Sequence, residues 1–178
     1  KAMGRGTPDP TYGLPYPRAD AGAIQMGDSL VISGGRRVIS GVTTTPDTVW
    51  RLKLGLDTFQ WEAILASNAG AGPRYDHIAT MDPGQCLHAD PTCTQANPVP
   101  QLIVHGGRRA SGSFTGDTVW ALPLPRSGST GNPQWSAIAT GGPGSRAGHT
   151  AMLAPFRVSG YSLDPNSGCA DSARIQVV

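Results

Sequence analysis

The feature that most constrains this chain is a set of four short signals that occurs twice in the same order and opens a third time. The first is an Arg after a Pro or Gly turn, at Arg18, Arg74 and Arg146. The second is an apolar run closing in Gly-Gly-Arg-Arg, at Leu30 to Arg37 and again at Leu102 to Arg109. The third is Asp-Thr-Val-Trp, at Asp47 to Trp50 and Asp117 to Trp120. The fourth is Gln-Trp-x-Ala-Ile, which places Trp61 and Trp135 at matching points. Gly34 to Gly106 and Arg74 to Arg146 are both 72 residues, Asp47 to Asp117 is 70, and Trp61 to Trp135 is 74. Arg18 to Arg74 is only 56 residues, because the first copy lacks the insertion at 82–100. Self-similarity at such a period marks a chain built from one repeated supersecondary unit.

Each signal reads as a strand or its end. In Val49 to Leu54, Trp50, Leu52 and Leu54 alternate with Arg51 and Lys53. That is the period-two pattern of a half-buried strand, with the two cations on the open side. Trp120, Leu122 and Leu124 repeat it, and Pro123 sends that strand toward an edge or its end. Gly34-Gly35 and Gly106-Gly107 end the apolar strands, where backbones approach closely or φ must be positive. A buried Trp removes roughly 150–250 Å² from water, about 4–6 kcal/mol of gross burial. Trp50, Trp61, Trp120 and Trp135 at fixed repeat positions therefore read as glue between neighbouring units. Gly (24) and Pro (16) exceed a fifth of the chain and interrupt every stretch long enough for a helix. Four strands per copy, antiparallel and repeated, are the unit of a β-propeller.

These residues resemble the kelch repeat family. The second copy carries the resemblance through Arg74, His77, Gly106, Gly107, Asp117, Val119, Trp120 and Trp135. The first carries it through Arg18, Gly34, Gly35, Asp47, Val49, Trp50 and Trp61. The resemblance implies an all-β, kelch-type propeller of six or seven blades, with a binding face of loops at one end. Most such proteins bind other proteins, some bind glycans, and a minority are copper-radical oxidases related to galactose oxidase. The expected organisation is a lead-in at 1–17, one blade at 18–72, a second at 73–144 and a partial third at 145–178 with an insertion at 155–172. Ile175 aligns with Leu102 and Val178 with His105, so Gly-Gly is expected next and the 178 residues are expected to be part of a longer chain.

The chemistry-bearing residues point away from catalysis. The four His are His77, His88, His105 and His149. His77 and His149 stand three after Arg74 and Arg146, a repeat position that suits a structural role. Tyr12, Tyr16, Tyr75 and Tyr161 have no ligand-like spacing to them, so no copper site is expected. No Gly-x-Ser-x-Gly elbow occurs. We expect neither a cofactor nor a metal, and no enzyme. Cys86 and Cys93 share the insertion at 82–100; a disulfide there would close a local loop and imply an oxidising compartment, extracellular or cell-surface rather than cytoplasmic. Net charge is +2 with scattered basic residues, which gives nucleic acid no basic stripe. No apolar run is long enough to span a membrane. The expected function is a non-catalytic module for protein–protein interaction or scaffolding in a larger protein or assembly, with glycan binding as the alternative. Arg36, Arg37, Arg108 and Arg109, on loops at one end of the units, are the candidate binding residues for acidic groups. The competing reading pairs them with Asp47 and Asp117.

Overall fold

The computed structural model describes residues 15–54, 59–83, 99–125, 132–141, 144–155 and 173–177. Cys86, Cys93, Cys169 and His88 lie outside them, as do most of the two insertions. The described residues form antiparallel β-sheets and contain no helix.

The first sheet joins β1 (Gly22–Met26), β2 (Ser29–Ser33), β5 (Val49–Leu54) and β6 (Phe59–Ile64) in that order. The second joins β7 (Ile78–Asp82), β8 (Gln101–His105), β9 (Val119–Pro123) and β10 (Ser136–Ala139), each strand again beside its sequence neighbour. A third pair, β11 (Ala151–Pro155) and β12 (Ala173–Val177), starts the same pattern. Val177 opposes Ala151 as Val104 opposes Ala79, the matching positions of the second sheet. Between β2 and β5 stands a small hairpin, β3 (Arg37–Ile39) with β4 (Val42–Thr44), which the repeat signals do not announce. The first strands of the three sheets, β1, β7 and β11, run side by side in sequence order.

The core lies between the first two sheets. Ile24, Val31, Val49 and Ile64 come from one, and Leu102, Val104, Leu122, Leu124 and Trp135 from the other. Register places Ile24, Val31 and Arg51 on one face, so Arg51 is turned inward rather than toward solvent as its alternation with Trp50 suggests. It is 2% exposed, with Glu62 at 3.7 Å and a hydrogen bond donated to the Pro125 carbonyl. Burial lowers its pKa, and Glu62 opposes that shift. The four Trp divide by face. Trp135 is buried against Gly70, and Trp120 packs on the same core. Trp50 and Trp61 are on the opposite face of the first sheet with Leu52, half-buried, and Leu54 there is 42% exposed. The other face of the second sheet carries a separate cluster of Ile103, Val119 and Ala121.

Adjacent sheets are clasped where the paired glycines end a strand. The Gly35 N–H donates to the Arg74 carbonyl (2.8 Å) and the Gly107 N–H to the Arg146 carbonyl (2.7 Å). Gly34 and Gly106 have φ of 56° and 64°, and a Cβ on either would collide with those same carbonyl oxygens. Gly27 has a similar φ of 56° but no atom within 4 Å of its would-be Cβ. Gly27→Ala should therefore cost only the left-handed penalty of about 1–2 kcal/mol, whereas Gly106→Ala should cost about 3 kcal/mol or more. Urea denaturation of both variants checks this; equal losses would show that close approach is not what the glycine serves.

Candidate functional site

The paired-glycine end concentrates the polar and aromatic side chains, and its construction repeats from sheet to sheet. Arg18 Nη1 donates to the Gly34 carbonyl and Arg74 Nη1 to the Gly106 carbonyl, both at 2.8 Å. Ala19 and Arg36 exchange two backbone bonds, as do Tyr75 and Arg108. Backbone bonds then run from copy to copy, Asp76 N–H to the Asp20 carbonyl (2.9 Å) and Gly148 N–H to the Asp76 carbonyl (3.0 Å). All three residues have positive φ (54°, 57° and 63°), a region that Asp tolerates and Gly prefers.

Histidines lock the same interfaces. Ser33 Oγ meets His77 Nε2 at 2.9 Å, and His105 Nδ1 meets His149 Nε2 at 3.0 Å; both pairs span 44 residues. The second ring nitrogens of His77 and His149, both Nδ1, are buried with no hydrogen-bond partner among the described residues, while the Asp117 backbone bears on His105. Burial, then the Arg74 guanidinium and His149, push the His77 pKa down to about 3. Burial also lowers His105, against the opposing backbone of Asp117, and lowers His149 together with His105 and Arg146. Arg74 is 4% exposed and gives its donors to the Ala71 and Gly106 carbonyls. Burial and then Arg109 lower its pKa to about 10.

The four candidate arginines fall into two kinds. Arg36 pairs with Asp20 and lies over the Tyr75 ring; Arg108 reaches Asp76 at 4.0 Å and lies over the Phe114 ring. Their carboxylates are thus Asp20 and Asp76, not Asp47 and Asp117. Asp47 instead lines the clefts between the sheets, and the Asp117 backbone adjoins His105. Arg37 and Arg109 have no carboxylate partner among the described residues. Arg37 lies 4.0 Å from the Tyr16 ring centroid and donates to Thr44 Oγ1 (3.1 Å), and Arg109 is exposed. Each also lowers the pKa of the repeat-opening arginine behind it, Arg37 on Arg18 and Arg109 on Arg74, in both cases after burial.

Apolar side chains stand beside these cations: Tyr16 (47% exposed), Val38 (64%), Ile39 (48%), Val42 (62%) and Phe114 (47%). Sequence reasoning missed the aromatic platforms and the hairpin. Asp two residues after Arg in both copies, and a β-branched run broken by Ser40-Gly41, were the available signals. A cleft between the two sheets, lined by Asp47, Thr48, Ile64, Asn68 and Trp135, holds about 110 Å³. Ordinary small-molecule sites hold ~300–1,000 Å³, so that cleft is too small for one. Among the described residues no group of three or more His, Cys, Asp or Glu could hold a metal, and no helix is long and apolar enough to cross a membrane.

No protein-family profile matches the chain. Over 99 residues it is 31% identical to the dynein alpha chain of the flagellar outer arm from Chlamydomonas reinhardtii. The match covers 54% of this chain but only 2% of that protein's length.

The histidine pairs make an acid-sensitivity prediction. A folded His77 pKa near 3 lies below the unfolded value near 6.5, so between the two the unfolded chain binds the extra proton. Stability should be full above pH 6.5 and fall toward pH 3 by up to about 1.4 kcal/mol per pH unit for this one group. His105 and His149 add in the same direction. Urea midpoints from pH 7 to 4 should show the slope, and His77→Asn should reduce it by about one proton. An unchanged slope in that variant would place the acid sensitivity elsewhere.

Proposed function

We propose that the chain is a non-catalytic β-propeller module of the kelch type that binds another protein within a larger protein or assembly. The observation that carries the fold part is the repetition of the clasp: the same backbone bonds, the same arginine–carbonyl contact and the same cross-sheet pair recur at both sheet boundaries. On this reading the two four-stranded sheets are successive blades, β1, β7 and β11 are their axial strands, and β11–β12 opens a third. The open face of the first sheet, with Trp50, Leu52, Leu54 and Trp61, corresponds to the face of the second that carries Trp120, Leu122, Leu124 and Trp135. A further blade would cover it as the first sheet covers the second.

The binding part rests on Arg37 and Arg109. They occupy one repeat position and lack carboxylates among the described residues, and Arg37 stands beside exposed apolar groups. A guanidinium spare of this kind suits acidic side chains of a partner. The similarity to a short stretch of a flagellar outer-arm dynein chain supports a module carried within a much larger polypeptide.

Selection of a random twelve-residue peptide library on the immobilised chain tests the binding reading. Acidic peptides with apolar residues should be enriched, and their affinity should fall about tenfold for Arg37→Glu with Arg109→Glu. An Arg36→Glu change should instead lower stability, because it breaks the Asp20 pair. Failure to enrich peptides, or enrichment of peptides that ignore both charge reversals, would overturn the proposal.

A further inference from the structure

The β3–β4 hairpin is not needed to connect its repeat. In the second copy the same connection closes on a single antiparallel bridge rather than two strands: Arg108 bridges Phe114 across a tight turn, the Arg109 N–H donates to the Ser113 carbonyl, and Thr115 Oγ1 donates to the Gly106 carbonyl. In the first copy the chain instead builds two three-residue strands, closed at Ser40-Gly41 with φ of 50° and 81°. Two strands alone are marginal in water. Their sheet has two members, so each strand has an outer edge with no strand on it among the described residues.

Register sorts the hairpin's side chains. Arg37 opposes Thr44 and Ile39 opposes Val42, so these four share one face, while Val38 and Thr43 share the other. The first face thus sets a guanidinium, held over Tyr16, two residues from an exposed cross-strand apolar pair. Exposed β-branched residues beside open strand edges are what an incoming strand covers. Charge complementarity fixes its chemistry: the surface cation has no carboxylate among the described residues.

We infer that the hairpin receives an extended acidic segment of a partner protein, which adds as a third strand, sets a carboxylate on Arg37 and lays an apolar side chain on Ile39 and Val42. This rests on the protein-binding reading and narrows it. Because Arg37 and Ile39 are two residues apart on one face, the incoming carboxylate and apolar residue are two apart as well. Their spacing along the strand is about 7 Å.

Fluorescence anisotropy with labelled ten-residue peptides tests this. One probe contains Asp-Thr-Ile-Thr-Val, a second moves Asp next to Ile, and a third replaces Asp by Lys. The first should bind about tenfold tighter than either of the others. Arg37→Glu should abolish that preference, and Ile39→Ser with Val42→Ser should weaken the first probe about tenfold. Val38→Ser, on the opposite face, should change it less than about twofold. All these positions are exposed or half-exposed, so melts followed by circular dichroism should match the parent. Equal binding of the second probe, or equal losses from Val38→Ser and Ile39→Ser, would overturn the inference. Library peptides that respond to Arg109→Glu but not to the hairpin variants would overturn it too and leave the broader reading standing; an empty selection would remove the broader reading first.

Discussion

Backbone-to-backbone contact between sheets, made where two glycines end a strand, is the constraint from which the rest of the molecule follows. Sheets pack about 10 Å apart when side chains separate them. At Gly34-Gly35 and Gly106-Gly107 there is no side chain, so an amide of one sheet reaches a carbonyl of the next. Once that bond forms, the neighbouring geometry is fixed. The arginine that supplies the carbonyl must find its place beside the following glycine pair, and the His three residues later arrives against the residue before the first Gly. One contact therefore sets both the distance between sheets and the direction in which the next one starts.

The polar groups at that junction explain why it tolerates cations. Arg74 is buried with no carboxylate partner among the described residues, and its Nε, Nη1 and Nη2 donate to the Ala71 and Gly106 carbonyls. An ion pair would offset the lost hydration more fully. Carbonyls instead keep the guanidinium in one orientation, which makes it a strut. Burial first, and the Arg74 guanidinium second, keep His77 beside it neutral. Arg36 and Arg108 are the outer layer of this scheme, tied to Asp20 and Asp76 and stacked on Tyr75 and Phe114.

The strands were legible in the sequence because their signals were repeated. The runs before Gly-Gly and the Val-Trp of Asp-Thr-Val-Trp became strands in antiparallel order, whereas Gln-Trp lies inside β6 in the first copy and just ahead of β10 in the second. Faces were harder to read. Alternation separates Trp50 from Arg51 but cannot say which side is buried when both faces of a sheet can be covered. Arg51 shows the cost of that ambiguity: its guanidinium reaches the distant Pro125 carbonyl and the Glu62 carboxylate opposite it on β6. The arginine pairs were legible as candidates, and their division was not. It depends on Asp20 and Asp76, which positive φ turns toward Arg36 and Arg108, and a local reading favoured the nearer Asp47 and Asp117 instead.

Comparison of the two copies separates what the architecture requires from what it leaves open. Positions that agree, such as the glycine pairs and Arg18 with Arg74, serve contacts made in both. Positions that differ are free of that demand. Ser33 against His105 still makes the cross-sheet bond, so the junction accepts a hydroxyl or an imidazole. Arg51 against Ala121 exchanges a buried strut for a small apolar contact within a second cluster. The hairpin against the closed loop at Phe114 exchanges a compact turn for exposed β-branched side chains. This last difference leaves Val38, Ile39 and Val42 in water, which folding alone disfavours. On the proposed reading, an incoming partner strand would cover the side chains that the hairpin leaves in water.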